Sequence, residues 1–131
     1  MAAVWTVNAA APHALNRLLL RELTASDGVV VSLSSDAAVN AYEGWGAYGS
    51  AKAALDHLTL TLGAETGLRT YAVDPGDMST PMHRDALPED DLSALPSPES
   101  VVPRLLALSL DRPPSGRYVA GDIPVPEGVS A

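Results

Sequence analysis

Apolar residues recur at two different spacings along the chain, one typical of helices and the other of strands. From Val4 to Leu23 they return mostly every three or four residues, which predicts a helix with one apolar side. Ala47 to Ala64 shows the same spacing, and Gly67 after it is a residue type that commonly ends a helix. A third helix is predicted from Ser100 to Leu110, with Pro103 in its first turn.

Between these helices lie short apolar, β-branched runs, which predict strands at residues 29–34, 68–73 and 117–120. Helices and strands that alternate with short links are typical of an α/β fold, in which helices cover both faces of a parallel sheet. We therefore predict a partial Rossmann-like fold, a doubly wound sheet of three strands, in one domain over residues 1–131.

Residues 29–34 form the most apolar of the predicted strands and contain neither a charge nor a proline. Edge strands are usually protected by such residues, so this strand is expected to have a further neighbour. The sequence predicts no other strand that could pair with residues 29–34 on that side, so we expect the sheet to be only part of a larger one.

Two segments have the composition of irregular structure. Residues 80–98 are rich in proline and acidic side chains, and we expect them to form a mobile flap over the substrate rather than a packed element. Residues 124–131 are expected to form a loose tail.

Composition and charge exclude several classes of protein. The 16 acidic side chains outnumber the 8 basic ones, which argues against nucleic acid as a partner because phosphates require clustered Lys and Arg. There is no cysteine, hence no disulfide or thiolate chemistry, and no apolar run approaches the roughly 20 residues that span a bilayer. The first residues lack the basic region of a signal peptide, so we expect a cytoplasmic protein without a membrane partner. The three histidines are far apart and predict no metal site.

Candidate chemistry begins with Tyr48 and Lys52, which are four residues apart and therefore lie on one side of the second predicted helix. A cation near a phenol lowers its pKa from about 10 towards the range of an acid–base catalyst. Such a pair can also be an ordinary feature of a helix surface. Ser35 ends the first strand, where ligands bind in parallel sheets, although a serine there can simply be a polar strand exit.

Asn8 is a further candidate. Pro12 has no N–H group and leaves the carbonyl of Asn8 without its helical partner, so that this carbonyl is free to hold a water. The proline could instead serve only to kink the helix.

Taken together, these motifs resemble the C-terminal half of a short-chain dehydrogenase/reductase. The matching pieces are residues 7–8, 28–35, 48–55 and 68–76, followed by Met78 and Thr80. The resemblance implies that Tyr48 is the general acid/base, that Lys52 lowers its pKa and binds the nicotinamide ribose, and that Ser35 orients the substrate oxygen. It further implies that Asn8 holds a relay water near Lys52.

The resemblance also implies a nicotinamide cofactor, NAD or NADP, next to Pro75, Gly76, Met78 and Thr80. The substrate would be a small carbonyl compound or secondary alcohol. The Gly-rich turn that cradles the pyrophosphate in the family is missing, as is the strand that selects between NAD and NADP. A literal G-x-G-x-x-G at residues 44–49 does not replace that turn, because about nine residues separate it from the preceding strand.

Two functional hypotheses follow. The first is an NAD(P)-dependent oxidoreductase, with the 131-residue chain expected to be inactive by itself. The second is a catalytically inactive remnant or interaction module. In the family, helices that match residues 4–23 and 47–64 commonly form the dimer interface, so the resemblance implies a homo-oligomer through these two helices.

Overall fold

Three parallel strands form the sheet around which the chain is arranged. The computed structural model describes residues 2–125 and 127–128. The strands are β1 (Val29–Leu33), β2 (Arg69–Asp74) and β3 (Gly116–Val119), and they lie in the order β1-β2-β3. The predicted parallel three-stranded α/β fold is confirmed.

The first predicted helix is present but is not continuous. It consists of α1 (Ala2–Trp5), a π-helical turn (Thr6–Ala10), α2 (Ala11–Leu18) and α3 (Leu20–Ala25). At the end of the π-turn the N–H of residue 11 donates to the carbonyl of residue 6, five residues back. The proline at position 12, which has no N–H to donate, lies directly after this turn, and π-turns of this kind are frequent at functional sites.

The remaining helices start or end at proline and glycine residues. Helix α4 (Gly46–Thr66) ends at Gly67, which adopts a left-handed φ of 76°. Helix α5 (Pro81–Ala86) has a proline in its first turn, as does α6 (Pro98–Asp111).

The segment predicted as an irregular flap, residues 80–98, contains regular structure. Helix α5 and a 3₁₀ turn (Leu92–Ala94) lie within it, and a side-chain cap precedes each of them. None of the residues in these two elements is buried. The segment's role as a mobile flap stays a prediction. Of the predicted tail, residues 126 and 129–131 lie outside the described residues.

The two faces of the sheet are covered by different helices. On one face, α6 packs against β2 and the segment after β3 through a cluster of buried side chains: Tyr71, Val73, Val101, Ala107, Leu108, Ala120 and Ile123. On the other face lies α4, whose Thr59 hydroxyl donates to the Ser32 hydroxyl of β1 at 2.8 Å. The candidate site is formed on the α4 side.

Two apolar surfaces are left uncovered. Strand β1 has β2 on one side and no other strand beside it among the described residues, which agrees with the edge inferred from its sequence. The first helical region also exposes large side chains, namely Val7, Leu15, Leu18 and Leu19. In the part of the chain that the structure describes, no helix has the length and apolar character needed to cross a bilayer.

Candidate active site

The candidate site lies where β1 ends beside the N-terminal part of α4. Ser35 follows β1 by two residues, and its hydroxyl accepts the N–H of Ala37 at 3.1 Å, which caps a 3₁₀ turn (Asp36–Ala38). This turn packs against α4 at Gly49, where a built Cβ would lie only 2.6 Å from the carbonyl oxygen of Ala37. The glycine therefore allows the Ser35 segment to approach α4 directly beside Tyr48.

Tyr48 is partly buried, and its phenol lies near Ser35. Burial raises the pKa of Tyr48 above its ordinary value, the neighbouring Ser35 hydroxyl lowers it as a hydrogen-bonding group, and the charges of Asp36 and Asp74 raise it. The net direction is upward. The ring of Trp45 packs edge-on against that of Tyr48, with 5.7 Å between their centroids.

Lys52 is close to Tyr48 but is engaged elsewhere. Its Nζ donates to the carbonyl of Leu33 at the end of β1 at 2.8 Å and lies 5.8 Å from the Tyr48 ring centroid. Burial lowers the pKa of Lys52, and the charge of Asp56 partly offsets this. Lys52 is not among the groups that shift the pKa of Tyr48 here, and its lowering of that pKa stays a prediction. Burial, the largest cause, together with the charges of Asp36 and Asp74 outweighs the lowering of the Tyr48 pKa by Ser35, while the Lys52 ammonium group donates to a main-chain carbonyl.

Asn8 lies in the π-turn, and its side-chain amide donates to the carbonyl of Val4 at 3.0 Å. Asn8, Pro12 and Lys52 line one cavity of about 310 Å³, which runs along the open edge of β1. The structure therefore brings Asn8 and Lys52 to the same space, where the sequence predicted a relay water. A second cavity, of about 360 Å³, is lined by Tyr42 and Trp45 among others but not by Ser35, Tyr48 or Lys52. It is separate from the candidate site.

The four residues expected to line the nicotinamide follow β2. The N–H of Gly76 donates to the Asp74 carboxylate at 2.9 Å, and its φ of 79° favours a glycine. Met78 packs against the α6 side of the core, and the Thr80 hydroxyl accepts the N–H of His83 at 3.0 Å to cap α5. Pro75 is partly buried at the start of this segment. All four residues therefore lie in the segment that follows the carboxyl end of β2. Within it, Met78 contributes to the core and Thr80 caps α5.

Two polar residues near the site, Arg117 and Asp56, were not identified by the sequence motifs. Arg117 of β3 donates from Nη2 to the carbonyl of Ser35 at 2.9 Å and from Nε to the carboxylate of Asp56 at 3.1 Å. In the sequence, the one sign of a special role for Arg117 was its positive charge inside a short predicted strand. Its partners are 82 and 61 residues away in sequence, so spacing alone does not reveal them.

The short chain dehydrogenase family model matches residues 1–91. The oxidoreductase YciK of Escherichia coli is 33% identical over 111 residues, which cover 82% of this chain and 44% of the relative. Benzil reductase of Bacillus subtilis is 36% identical over 85 residues, covering 60% of this chain and 35% of the relative. A solved short chain dehydrogenase of Shigella flexneri in complex with NADP superposes with a TM-score of 0.84 at 28% identity, covering 89% of this chain and 52% of that one.

This chain belongs to the short-chain dehydrogenase family. The match confirms the resemblance seen in the sequence, and the superposition confirms the Rossmann-like fold. The chain spans about half or less of the length of these three relatives.

Proposed function

We propose that this chain supplies the acid–base part of the active site of an NAD(P)-dependent oxidoreductase that interconverts a carbonyl compound and a secondary alcohol. The observation that carries the proposal is the placement of Ser35, Tyr48 and Lys52 at the carboxyl end of β1, in a member of the short-chain dehydrogenase family. Ligands of parallel α/β sheets bind at this end.

Tyr48 acts in this proposal as the proton donor to the substrate oxygen. A tyrosine phenol is protonated at neutral pH, as the proton donor in carbonyl reduction must be. The Ser35 hydroxyl, beside the phenol, orients the same oxygen. Lys52 and Asn8, which share one cavity, conduct the replacement proton through water towards Tyr48.

The nicotinamide cofactor would lie beside the residues that follow β2. Gly76 is exposed there, and a Cβ built on it would meet nothing within 4 Å, so no other side chain covers this position. Pro75, Gly76, Met78 and Thr80 would border the nicotinamide, and Tyr48 and Lys52 would hold its ribose. When bound, the cofactor supplies or takes up the hydride. The cofactor in this proposal is NAD or NADP.

The test uses the 131-residue chain and a version extended at its N-terminus with the preceding half of the Bacillus subtilis relative. Oxidation of NADH and NADPH is followed with a panel of small ketones and diketones. We expect turnover from the extended protein, and about a 10²–10⁴-fold lower kcat in Tyr48→Phe because the general acid is lost.

Tyr118→Phe is the matched control, since the Tyr118 hydroxyl donates to the Pro114 carbonyl at 2.7 Å and its ring packs on the α6 side of the sheet, away from the proposed chemistry. Its kcat should stay close to that of the parent protein. Undiminished turnover in Tyr48→Phe contradicts the proposed role of Tyr48. A folded extended protein that turns over none of the carbonyls contradicts the enzymatic function.

The second candidate is an associating module without catalysis, as the sequence analysis allowed. The specific observation in its favour is the exposed apolar side of the first helical region, where Leu18 is 79% and Val7 68% exposed. The same surface would also serve the proposed homo-oligomer of an active enzyme, so association and catalysis are tested separately.

A further inference from the structure

Arg117 lies in the interior of β3, level with Ala72 of β2 and Ser32 of β1 in the strand register. Side chains at paired positions of parallel strands point to the same face, here the face covered by α4. Ala72 is fully buried and small, which leaves room for the long Arg117 side chain to reach over β2 to α4 and to the end of β1.

The guanidinium of Arg117 donates hydrogen bonds to two acceptors at once. Nε donates to Oδ2 of Asp56 at 3.1 Å, and Nη2 donates to the main-chain carbonyl of Ser35 at 2.9 Å. A guanidinium has its donors in a rigid planar fork, so one contact fixes the direction of the other. The two contacts therefore tie the position of Ser35 to that of α4.

Asp56 anchors this arrangement. It lies one turn after Lys52 on α4, is only 8% exposed, and its Oδ1 has no hydrogen-bond partner among the residues that the structure describes. A buried carboxylate is costly without a cation, so Asp56 keeps Arg117 in place. The charge of Asp56 also acts on Lys52, which connects the same carboxylate to a second residue of the candidate site.

We propose that Arg117, anchored by Asp56, is a positioning residue that sets the place of Ser35 relative to Tyr48 through the Ser35 carbonyl. Strand β3, which contributes no residue to the candidate chemistry, is thereby coupled to the site. This inference rests on the proposed function for its catalytic meaning, but its geometric content can be tested without turnover.

The first test is the Arg117→Lys variant. A lysine retains the charge opposite Asp56 but lacks the planar fork that reaches the Ser35 carbonyl as well. Ser35 then moves away from the phenol, and because Ser35 lowers the Tyr48 pKa, that pKa should rise further. The measurement is a pH titration of the 131-residue chain labelled with ¹³Cζ-tyrosine, with the Tyr48 signal assigned from Tyr48→Phe.

Arg112→Lys is the matched control. Arg112 also contacts a carbonyl and a carboxylate, both of Asp27, at 3.0 and 3.2 Å, but far from Ser35 in the fold. This variant should leave the Tyr48 pKa unchanged. An unchanged Tyr48 pKa in folded Arg117→Lys overturns the proposal, as does an equal rise in both variants.

The Asp56→Asn variant keeps the test decisive if Arg117→Lys does not fold. Loss of the anchor frees Arg117, so the Tyr48 pKa should again rise. Lys52 is the only lysine of the chain and gives a single ¹³Cε-lysine signal, whose pKa should fall because the Asp56 charge is lost. A lower Lys52 pKa with an unchanged Tyr48 pKa would overturn the role of Arg117. None of these readouts needs turnover, so failure of the oxidoreductase proposal would be seen separately.

Discussion

Gly49 lies where the main chain after β1 comes closest to α4. A methyl group at this position would sit 2.6 Å from the carbonyl oxygen of Ala37, so the Gly49→Ala variant must displace the turn that carries Ser35. We expect a loss of about 1–3 kcal/mol in the free energy of unfolding, the usual effect of overpacking, measured by urea denaturation.

Gly46 provides the control for this substitution. It is in the first turn of the same helix, and a Cβ there meets nothing within 4 Å. Gly46→Ala should be neutral or slightly stabilising, because alanine has the better helix propensity. Equal effects of the two substitutions would show that the close approach at Gly49 is not what requires the glycine.

Single residues also show how far the sequence predicts the site. Tyr48 and Lys52 are four residues apart on one helix, so local periodicity is enough to place them on one side. Periodicity could not predict the direction in which the Tyr48 pKa shifts. That shift depends on burial and on the charges of Asp36 and Asp74, which the tertiary fold brings near. Arg117 was missed for the same reason.

At the scale of elements, a side-chain contact joins α5 to the turn that follows it. Nε2 of His83 in α5 lies 2.8 Å from Oδ2 of Asp90, in the turn that follows the helix. Asp90→Ala removes this contact, and the segment after β2 should open more often. Because Arg84 is exposed in α5, we expect faster tryptic cleavage after Arg84 with little change in the thermal unfolding of the chain.

Glu89→Ala is the control, since Glu89 is a neighbouring exposed carboxylate outside this contact. Its cleavage rate at Arg84 should equal that of the unmodified chain. If Asp90→Ala and the unmodified chain are cleaved at the same rate, the His83 contact does not hold the segment.

Most element boundaries could be predicted to within a few residues, because helix and strand periods are local properties of the sequence. Helix α5 was missed, although Thr80 followed by Pro81 is a regular helix start, because the many prolines and acids around it favoured an irregular segment. The π-turn of residues 6–10 was also not foreseen. The proline at position 12 indicated a local departure from the helix but not its form.

At the scale of the whole molecule, the exposed leucines of α2 and the residue after it form the apolar surface on which the proposed association depends. Leu18→Glu places a charge in its centre. Burying a leucine contributes about 1.5–3 kcal/mol, so losing it should weaken self-association about tenfold or more. Light scattering coupled to gel filtration over a range of concentrations measures the change.

Leu110→Glu tests whether any exposed leucine would act in the same way. Leu110 is 63% exposed on α6, which covers the other face of the sheet. Association should survive this substitution. A monomeric unmodified chain at all concentrations, or equal weakening by both variants, would contradict an interface on the first helical region.

The open side of β1 has a consequence for the exchange of amide hydrogens with solvent. The N–H of Ser34 donates to Val73 of β2, and consecutive residues of a strand direct their N–H groups to opposite edges. The amides of Val31 and Leu33 therefore face the uncovered side and exchange rapidly, whereas those of Val30 and Ser32 are protected by β2. This alternation disappears once another strand pairs with β1, so deuterium uptake at two neighbouring residues records whether the sheet has been completed.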